Sequence, residues 1–239
     1  MNAIKVSHVS KVYKTFKLDD VSFNVEEGHI VGFIGRNGAG KTTTIKSILN
    51  IVKKSSGTVK FFGLTLEENE NTIKNQIGYS SGSINYYPRK KLCDIINITK
   101  PFYELWDDDL MNEYVSLFQL DLNKTPSELS SGMKVKFNLL LALSHHAKVL
   151  ILDEPTTGLD PFSRDEILEV FNDLKKRGTA ILFSTHITSD LEKCADDIVY
   201  IRKGSIVSAS SKEDFVNQYN ENGETLENII LRLEREKHD

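Results

Sequence analysis

One segment, Gly35-Arg36-Asn37-Gly38-Ala39-Gly40-Lys41-Thr42, constrains this 239-residue chain more than any other. It fits the pattern GxxxxGK[ST], follows an apolar run at residues 30–34, and precedes a helical pattern from about residue 41 to 50. The residue types follow from what such a strand, loop and helix can do. Glycines permit a tight turn and let successive backbone N–H groups approach an anion without a Cβ in the way. A helix starting at Lys41 points the positive end of its dipole at the same place. Lys41 brings a point charge to the β- and γ-phosphates of a nucleotide, and the Thr42 hydroxyl is a ligand for Mg2+. Four fixed positions of this kind match by accident in roughly one chain in a hundred of this size. The expectation is phosphate binding by residues 35–43, Thr43 included; the loop alone names neither the nucleotide nor the outcome.

A second site is expected at residues 149–154, where the apolar run Val149-Leu150-Ile151-Leu152 ends in Asp153 and Glu154. Ligands in open α/β sheets collect beyond the C-terminal ends of strands. Asp153 suits the Mg2+ shell, and Glu154 suits orienting and polarising an attacking water. Without the phosphate loop, two acids closing a strand would read as solvated surface.

Around these sites, period-two alternation at residues 4–13 and 21–25 predicts strands, with a turn at Glu27-Gly28 and a further strand at 58–62. From about 92 to 145 the pattern is helical: Leu92, Ile95, Ile96 and Thr99 share one face, and Leu110, Tyr114, Leu117 and Phe118 repeat the spacing. Asp107-Asp108-Asp109 suits a helix start. Strands at 149–152, 179–184 and 198–201 alternate with helices at 163–176 and 189–195, which predicts a parallel sheet covered on both faces. Residues 202–205 read as a hairpin turn into 206–209. Beyond about Lys212 the chain reads as a helical tail whose Leu226, Ile229, Ile230 and Leu233 form a docking stripe.

Composition narrows the function classes. A formal net charge of −4 argues against broad nucleic-acid binding, which neutralises many phosphates with Lys and Arg. Cys93 and Cys194 lie far apart, so reduced thiols are expected rather than a zinc site or disulfide framework. The first residues carry no hydrophobic leader stretch, and the longest apolar runs, at 139–143 and 149–152, fall far short of the roughly 20 residues of a spanning helix. The chain is expected to be soluble, meeting a membrane only through a partner.

Between the two sites, Leu129-Ser130-Ser131-Gly132-Met133 resembles the LSGGQ signature of ATP-binding cassette proteins. Other features agree in order: Gly158-Leu159-Asp160 resembles the D-loop, His186 the switch histidine, and Tyr13 the aromatic residue that stacks on adenine. Taken singly, these positions have ordinary structural readings: an N-cap, a hydrogen-bonding His, a core Tyr. Their shared order and spacing, over roughly residues 1–210, carries the resemblance.

The resemblance implies an α/β fold, a P-loop NTPase (RecA-like) core with an N-terminal antiparallel β subdomain and an inserted α-helical subdomain at about 80–145. Residues 1–210 would be one nucleotide-binding domain and 211–239 a helical C-terminal tail. It implies MgATP lying between the phosphate loop of one subunit and Ser130, Ser131 and Gly132 of another, with Asp160 at the same junction. Glu154 and His186 would serve hydrolysis, and Thr42 and Asp153 would hold Mg2+. The implied partners are a second cassette, identical or not, and an integral-membrane permease subunit, with the chain cytoplasmic and peripheral on the inner face of the cell membrane. Export of a separate membrane subunit's substrate is the expected role. A soluble non-transport ATPase and a weakly catalytic regulatory subunit are the alternatives.

Two departures stand out. The signature has Ser131 for the first glycine and Met133 for glutamine, which leaves Ser130 and Gly132 in place. Counting along the segment that begins at Gln76 puts Gly82 where the family has the Q-loop glutamine, so slower hydrolysis or altered coupling is expected.

Overall fold

The computed structural model describes residues 1–81, 87–221 and 223–235. The alternating N-terminal sequence forms β1 (Asn2–Val12) and β2 (Lys17–Glu26), and Tyr13 falls just past the end of β1. The apolar run forms β3 (Ile30–Ile34), and the phosphate-loop segment leads into α1 (Lys41–Ile48). Next come β4 (Ser56–Phe61), the short β5 (Leu64–Thr65), α2 (Leu66–Lys74) and β6 (Ile77–Ser80). Helix α2 was not expected: only Leu66 and Ile73 of it are buried, and the Glu/Asn-rich stretch between them, kinked at Asn69, shows no apolar period.

The middle of the chain is helical as expected, with α3 (Leu92–Thr99), α4 (Asp108–Leu117) and α5 (Ser131–Leu143). Asp107 caps α4, accepting from the N–H groups of Asp109 and Leu110. One residue of the expected apolar face is misplaced: Leu117 is 61% exposed, and Met111 takes the buried position beside Tyr114 and Phe118. The apolar spacing admits either residue, and packing selects Met111. Strands and helices then alternate through β7 (Val149–Asp153), α6 (Pro161–Lys176), β8 (Ala180–Thr185), α7 (Thr188–Cys194), β9 (Asp197–Arg202) and β10 (Ser205–Ser211). Two helices close the described chain, α8 (Lys212–Tyr219) and α9 (Leu226–Arg235).

The strands make two sheets, an antiparallel one in the order β2-β1-β4-β5 and a six-stranded one in the order β10-β9-β3-β8-β7-β6. The larger is parallel except for β10, which returns antiparallel along β9. Side chains alternate across a strand, so each central strand serves two cores. Ile30 and Ile34, Leu150 and Leu152, and Ile181 and Phe183 face the helices that include α5, α6 and α7. Val31 and Phe33, Val149 and Ile151, and Ala180 and Leu182 face α1 and the antiparallel sheet. That double burial explains why these strands read as unbroken apolar runs.

The stripe Leu226, Ile229, Ile230 and Leu233 is buried in the helix-side core with Tyr200 and Phe215. Arg202 Nη1 donates to the Leu233 carbonyl at 2.8 Å, and the Tyr200 hydroxyl donates to Glu234 at 2.9 Å, so α9 is stitched to β9. Phe183 shows what the core is worth. It is fully buried, with its ring centroid 5.9 Å from that of Phe171. Phe183→Ala is expected to cost about 3–5 kcal/mol, read as a lower urea midpoint at unchanged slope.

Candidate nucleotide site

Residues 35–40 are shaped by contacts that only glycine meets at three positions. A Cβ on Gly35 would lie 2.4 Å from the Ile201 carbonyl oxygen, while Gly38 and Gly40 hold φ of 84° and 118°. Between them, Ala39 is tied down: its N–H donates to the Arg36 carbonyl at 3.0 Å, and its carbonyl accepts from Gly204 N–H at 2.9 Å. Gly40 starts α1 without any side-chain cap, so the first-turn N–H groups of the helix are left for an anion.

This loop bounds a cavity of about 650 Å³ lined by Tyr13, Thr15, Phe16, Arg36, Asn37, Gly38, Gly40, Lys41, Thr42, Thr43 and Glu154. Lys41 is 6% exposed; its Nζ donates to the Gly35 carbonyl at 2.6 Å and pairs with Glu154 Oε1 at 3.2 Å. Tyr13 is partly exposed on the cavity wall, with the Lys11 ammonium 5.3 Å from its ring centroid. Its flat face suits stacking on a base.

Asp153 and Glu154 end β7 and share one hydroxyl. Ser184 Oγ of β8 donates to Asp153 Oδ1 at 2.6 Å and accepts from Glu154 N–H at 2.9 Å. Adjacent strand residues face opposite ways, yet both acids serve one site because Glu154 has left the strand with φ at 53°. Its Oε2 accepts from Thr157 Oγ1 at 2.8 Å and lies 2.8 Å from His186 Nδ1. Burial pushes the Glu154 carboxyl up, but the Thr157 hydroxyl and the Lys41 ammonium outweigh it, with His186 adding to them, and hold it below the usual carboxylate range. A folded-state pKa lowered in this way keeps the group ionised at neutral pH and loses it only as pH falls through that lowered value. On the role in hydrolysis that the family resemblance implies for Glu154, the acid limb of kcat/KM is expected below the ordinary glutamate range, measured from pH 4 to 8.

Among the described residues, no group of three or more His, Cys, Asp or Glu could hold a metal ion by itself. Thr42 and the 8% exposed Asp153 still fit Mg2+, which binds through one or two protein oxygens plus substrate phosphates and water.

A family model described as ABC transporter matches residues 18–157, more than half of the chain. The chain belongs to the ABC transporter family of ATPases. The cassette is 33% identical over 208 residues to the bacitracin transport ATP-binding protein BcrA of Bacillus licheniformis, covering 85% of this chain and 68% of that one. It is 30% identical to the ABC-type transporter ATP-binding protein EcsA of Bacillus subtilis (strain 168), over 92% of this chain and 91% of the relative. A solved structure described as the ATP-binding subunit of an ABC transporter superposes with a TM-score of 0.89 at 29% identity, over 98% of the cassette and all of that chain. The expected fold, a P-loop NTPase core with an antiparallel β subdomain and helices, is the one observed.

The cassette divides the expected site residues into two groups. Tyr13, the loop residues, Asp153, Glu154 and His186 come together. Ser130, Ser131, Gly132 and Asp160 lie apart from them, at the N-terminal ends of α5 and α6. Ser130 Oγ caps α5 by accepting from Met133 N–H at 3.2 Å. Asp160 caps α6, accepting from the N–H groups of Phe162 and Ser163, and the Ser163 contacts lower its carboxyl's pKa. The two helix ends adjoin, since a Cβ on Gly132 would sit 3.3 Å from Ser163 Oγ.

Gly82 lies outside the described residues. Gln76 lies at the opposite end of β6 from the Asp153–Glu154 end of β7: the two strands run parallel with Ser80 beside Leu152, and the Gln76 amide donates to the Thr72 carbonyl. Sequence reasoning missed Ser184, Thr156 and Thr157. The last two follow Glu154 closely enough to be found by proximity, whereas Ser184 is visible only once β8 is known to neighbour β7.

Proposed function

We propose that this chain is the ATP-hydrolysing subunit of a transporter that exports its substrate through a separate membrane subunit, working as one half of a cassette dimer on the inner face of the membrane. The observation that carries the reading is the division of the site. Lys41, Glu154 and His186 form a cluster suited to hydrolysis, while the exposed Ser130 and Ser131 stand at a helix N-terminus that, among the described residues, does not line the cavity of the phosphate loop. A helix end of this kind binds anions, so a second cassette would bring it to the γ-phosphate, with Asp160 and Gly132 at the same junction. ATP then closes the dimer because its contacts exist in only one state.

Within one site, Lys41 exchanges the Gly35 carbonyl for phosphate oxygens, and the N–H groups of residues 38–43 follow the same anion. Thr42 and Asp153 would hold Mg2+, which neutralises charge on the phosphates when bound. Glu154 orients and deprotonates the attacking water, and His186, fixed against Glu154, faces the γ-phosphate.

Similarity to a bacitracin transport ATP-binding protein supports transport. Among the described residues no helix is long and apolar enough to cross a membrane, which fits a separate permease. A cavity of about 500 Å³ between the end of α1, α2 and the helical region is lined by apolar and aromatic residues, among them Leu49, Ile51 and Phe102, and by the polar Asn50, Glu70, Asn71, Lys74 and Asn75. Ile51 and Phe102 are exposed there, and with the polar wall opposite they suit an amphipathic helix presented by that permease. Affinity purification of the tagged chain from detergent-solubilised membranes tests the proposal. An integral-membrane subunit is expected to co-purify in stoichiometric amount; a cassette recovered alone would favour a soluble ATPase instead.

A further inference from the structure

Glu154 and His186 sit on two separate connections, one after β7 and one after β8, and both are anchored on a single buried carboxylate. Asp190 of α7 is fully buried. Its Oδ2 accepts from Thr156 Oγ1 at 2.5 Å, and the Thr185 hydroxyl lies against the same group. From α6, Arg164 Nε comes to 3.7 Å from Oδ1, an ion pair too long to be a hydrogen bond. Thr156 is two residues beyond Glu154, Thr185 immediately precedes His186, and Asp190 follows His186 by four residues. One side chain therefore bonds to the segment after β7, lies against the end of β8 and faces a cation of α6.

Glu154 needs such an anchor. Its left-handed φ of 53° is a conformation that a non-glycine residue keeps only when its surroundings over-determine it. Ser184 holds its N–H and Thr157 its carboxylate, each by one direct hydrogen bond to Glu154 itself. The Thr156–Asp190 bond fixes the chain between Glu154 and Thr157, at a residue that does not line the nucleotide cavity. A carboxylate is the group suited to the place, because it accepts from the Thr156 hydroxyl, with the Thr185 hydroxyl beside it, while facing a guanidinium. Burial pushes the Asp190 carboxyl above the usual range, and Thr156 and Arg164 work against that.

We propose that Asp190 is a positioning residue for ATP hydrolysis, holding Glu154 and His186 in their mutual hydrogen-bonded geometry without touching the nucleotide. The proposal rests on the reading of Glu154 as the group that activates water. Asp190→Asn turns an amide N–H₂ toward either Arg164 or the Thr156 hydroxyl and loosens the anchor; Thr156→Val removes the bond from the other side at nearly constant volume.

In the purified full chain, Asp190→Asn is expected to lower kcat about tenfold, the scale of a sub-ångström misplacement of reacting groups. KM for MgATP and the equilibrium affinity for ATP measured in EDTA should stay within about twofold. Thr156→Val should do the same, and the double variant should be no slower than the worse single one, because both changes break one bond. Unchanged kcat in Asp190→Asn, parallel loss of kcat and ATP affinity, or additive losses in the double variant would each overturn the proposal. If Asp190→Asn does not fold, Thr156→Val carries the test under the same expectations. Glu154→Gln run alongside separates the two layers: an inactive Glu154→Gln beside a fully active Asp190→Asn rejects the anchor alone, whereas an active Glu154→Gln rejects the reading beneath it.

Discussion

Glu154→Gln is expected to lower kcat by about 10²-fold or more, the scale of losing a general base, and to leave an ATP-bound dimer that no longer dissociates. The substitution keeps the shape of the side chain and an oxygen for the Thr157 and His186 contacts, both 2.8 Å long in the parent. What it removes is the negative charge facing Lys41 and the capacity to accept a proton from water. Nucleotide affinity should therefore survive while turnover does not. Phosphate release under saturating MgATP measures the first effect, and size-exclusion chromatography with and without ATP measures the second. Turnover within fivefold of the parent would remove Glu154 from the role of base.

Lys41→Ala is expected to weaken ATP binding by roughly 10- to 150-fold, the equivalent of about 1.5–3 kcal/mol for a charge-assisted hydrogen bond to phosphate. The side chain has little freedom: it is buried against the Gly35 carbonyl and the Glu154 carboxylate. Its loss also takes away a cation that holds the Glu154 carboxyl ionised, so residual activity should lose its acid tolerance and its kcat/KM limb should move to higher pH. Lys41→Arg is not expected to rescue binding, because a planar forked guanidinium does not fit a space shaped for a compact ammonium. Titration with a fluorescent ATP analogue reads the affinity; an unchanged dissociation constant in Lys41→Ala would mean that the backbone N–H groups alone bind the phosphates.

Elements with a clear hydrophobic period were the readable part of this chain. Strands β3, β7 and β8 are buried on both faces and therefore show as unbroken apolar runs, and the stripe of α9 shows as an amphipathic helix. Helix α2 could not be read because two buried residues in nine make no period, and Leu117 was misjudged because Met111 competes for the same face. At the site, residues within one short motif were legible, since glycines and acids at fixed spacing have a chemistry of their own. Ser184 and Asp190 were not. Each acts on residues about thirty positions away, and only the neighbouring of β7 and β8, which no local pattern encodes, brings them into reach.

Strand order has a further consequence for how the protein comes into being. The strand that carries the phosphate loop, β3, lies between β8 and β9, so residues 30–34 find their neighbours only at 181–185 and 197–200. Gly35 and Ala39 are then held by Ile201 and Gly204. During synthesis the nucleotide motif precedes its supports, so residues 35–40 have nothing to rest on until residues 181–204 have been made. The loop is thus left unsupported in the unfinished cassette, and the same long-range pairing makes folding slow relative to that of a locally connected helical domain.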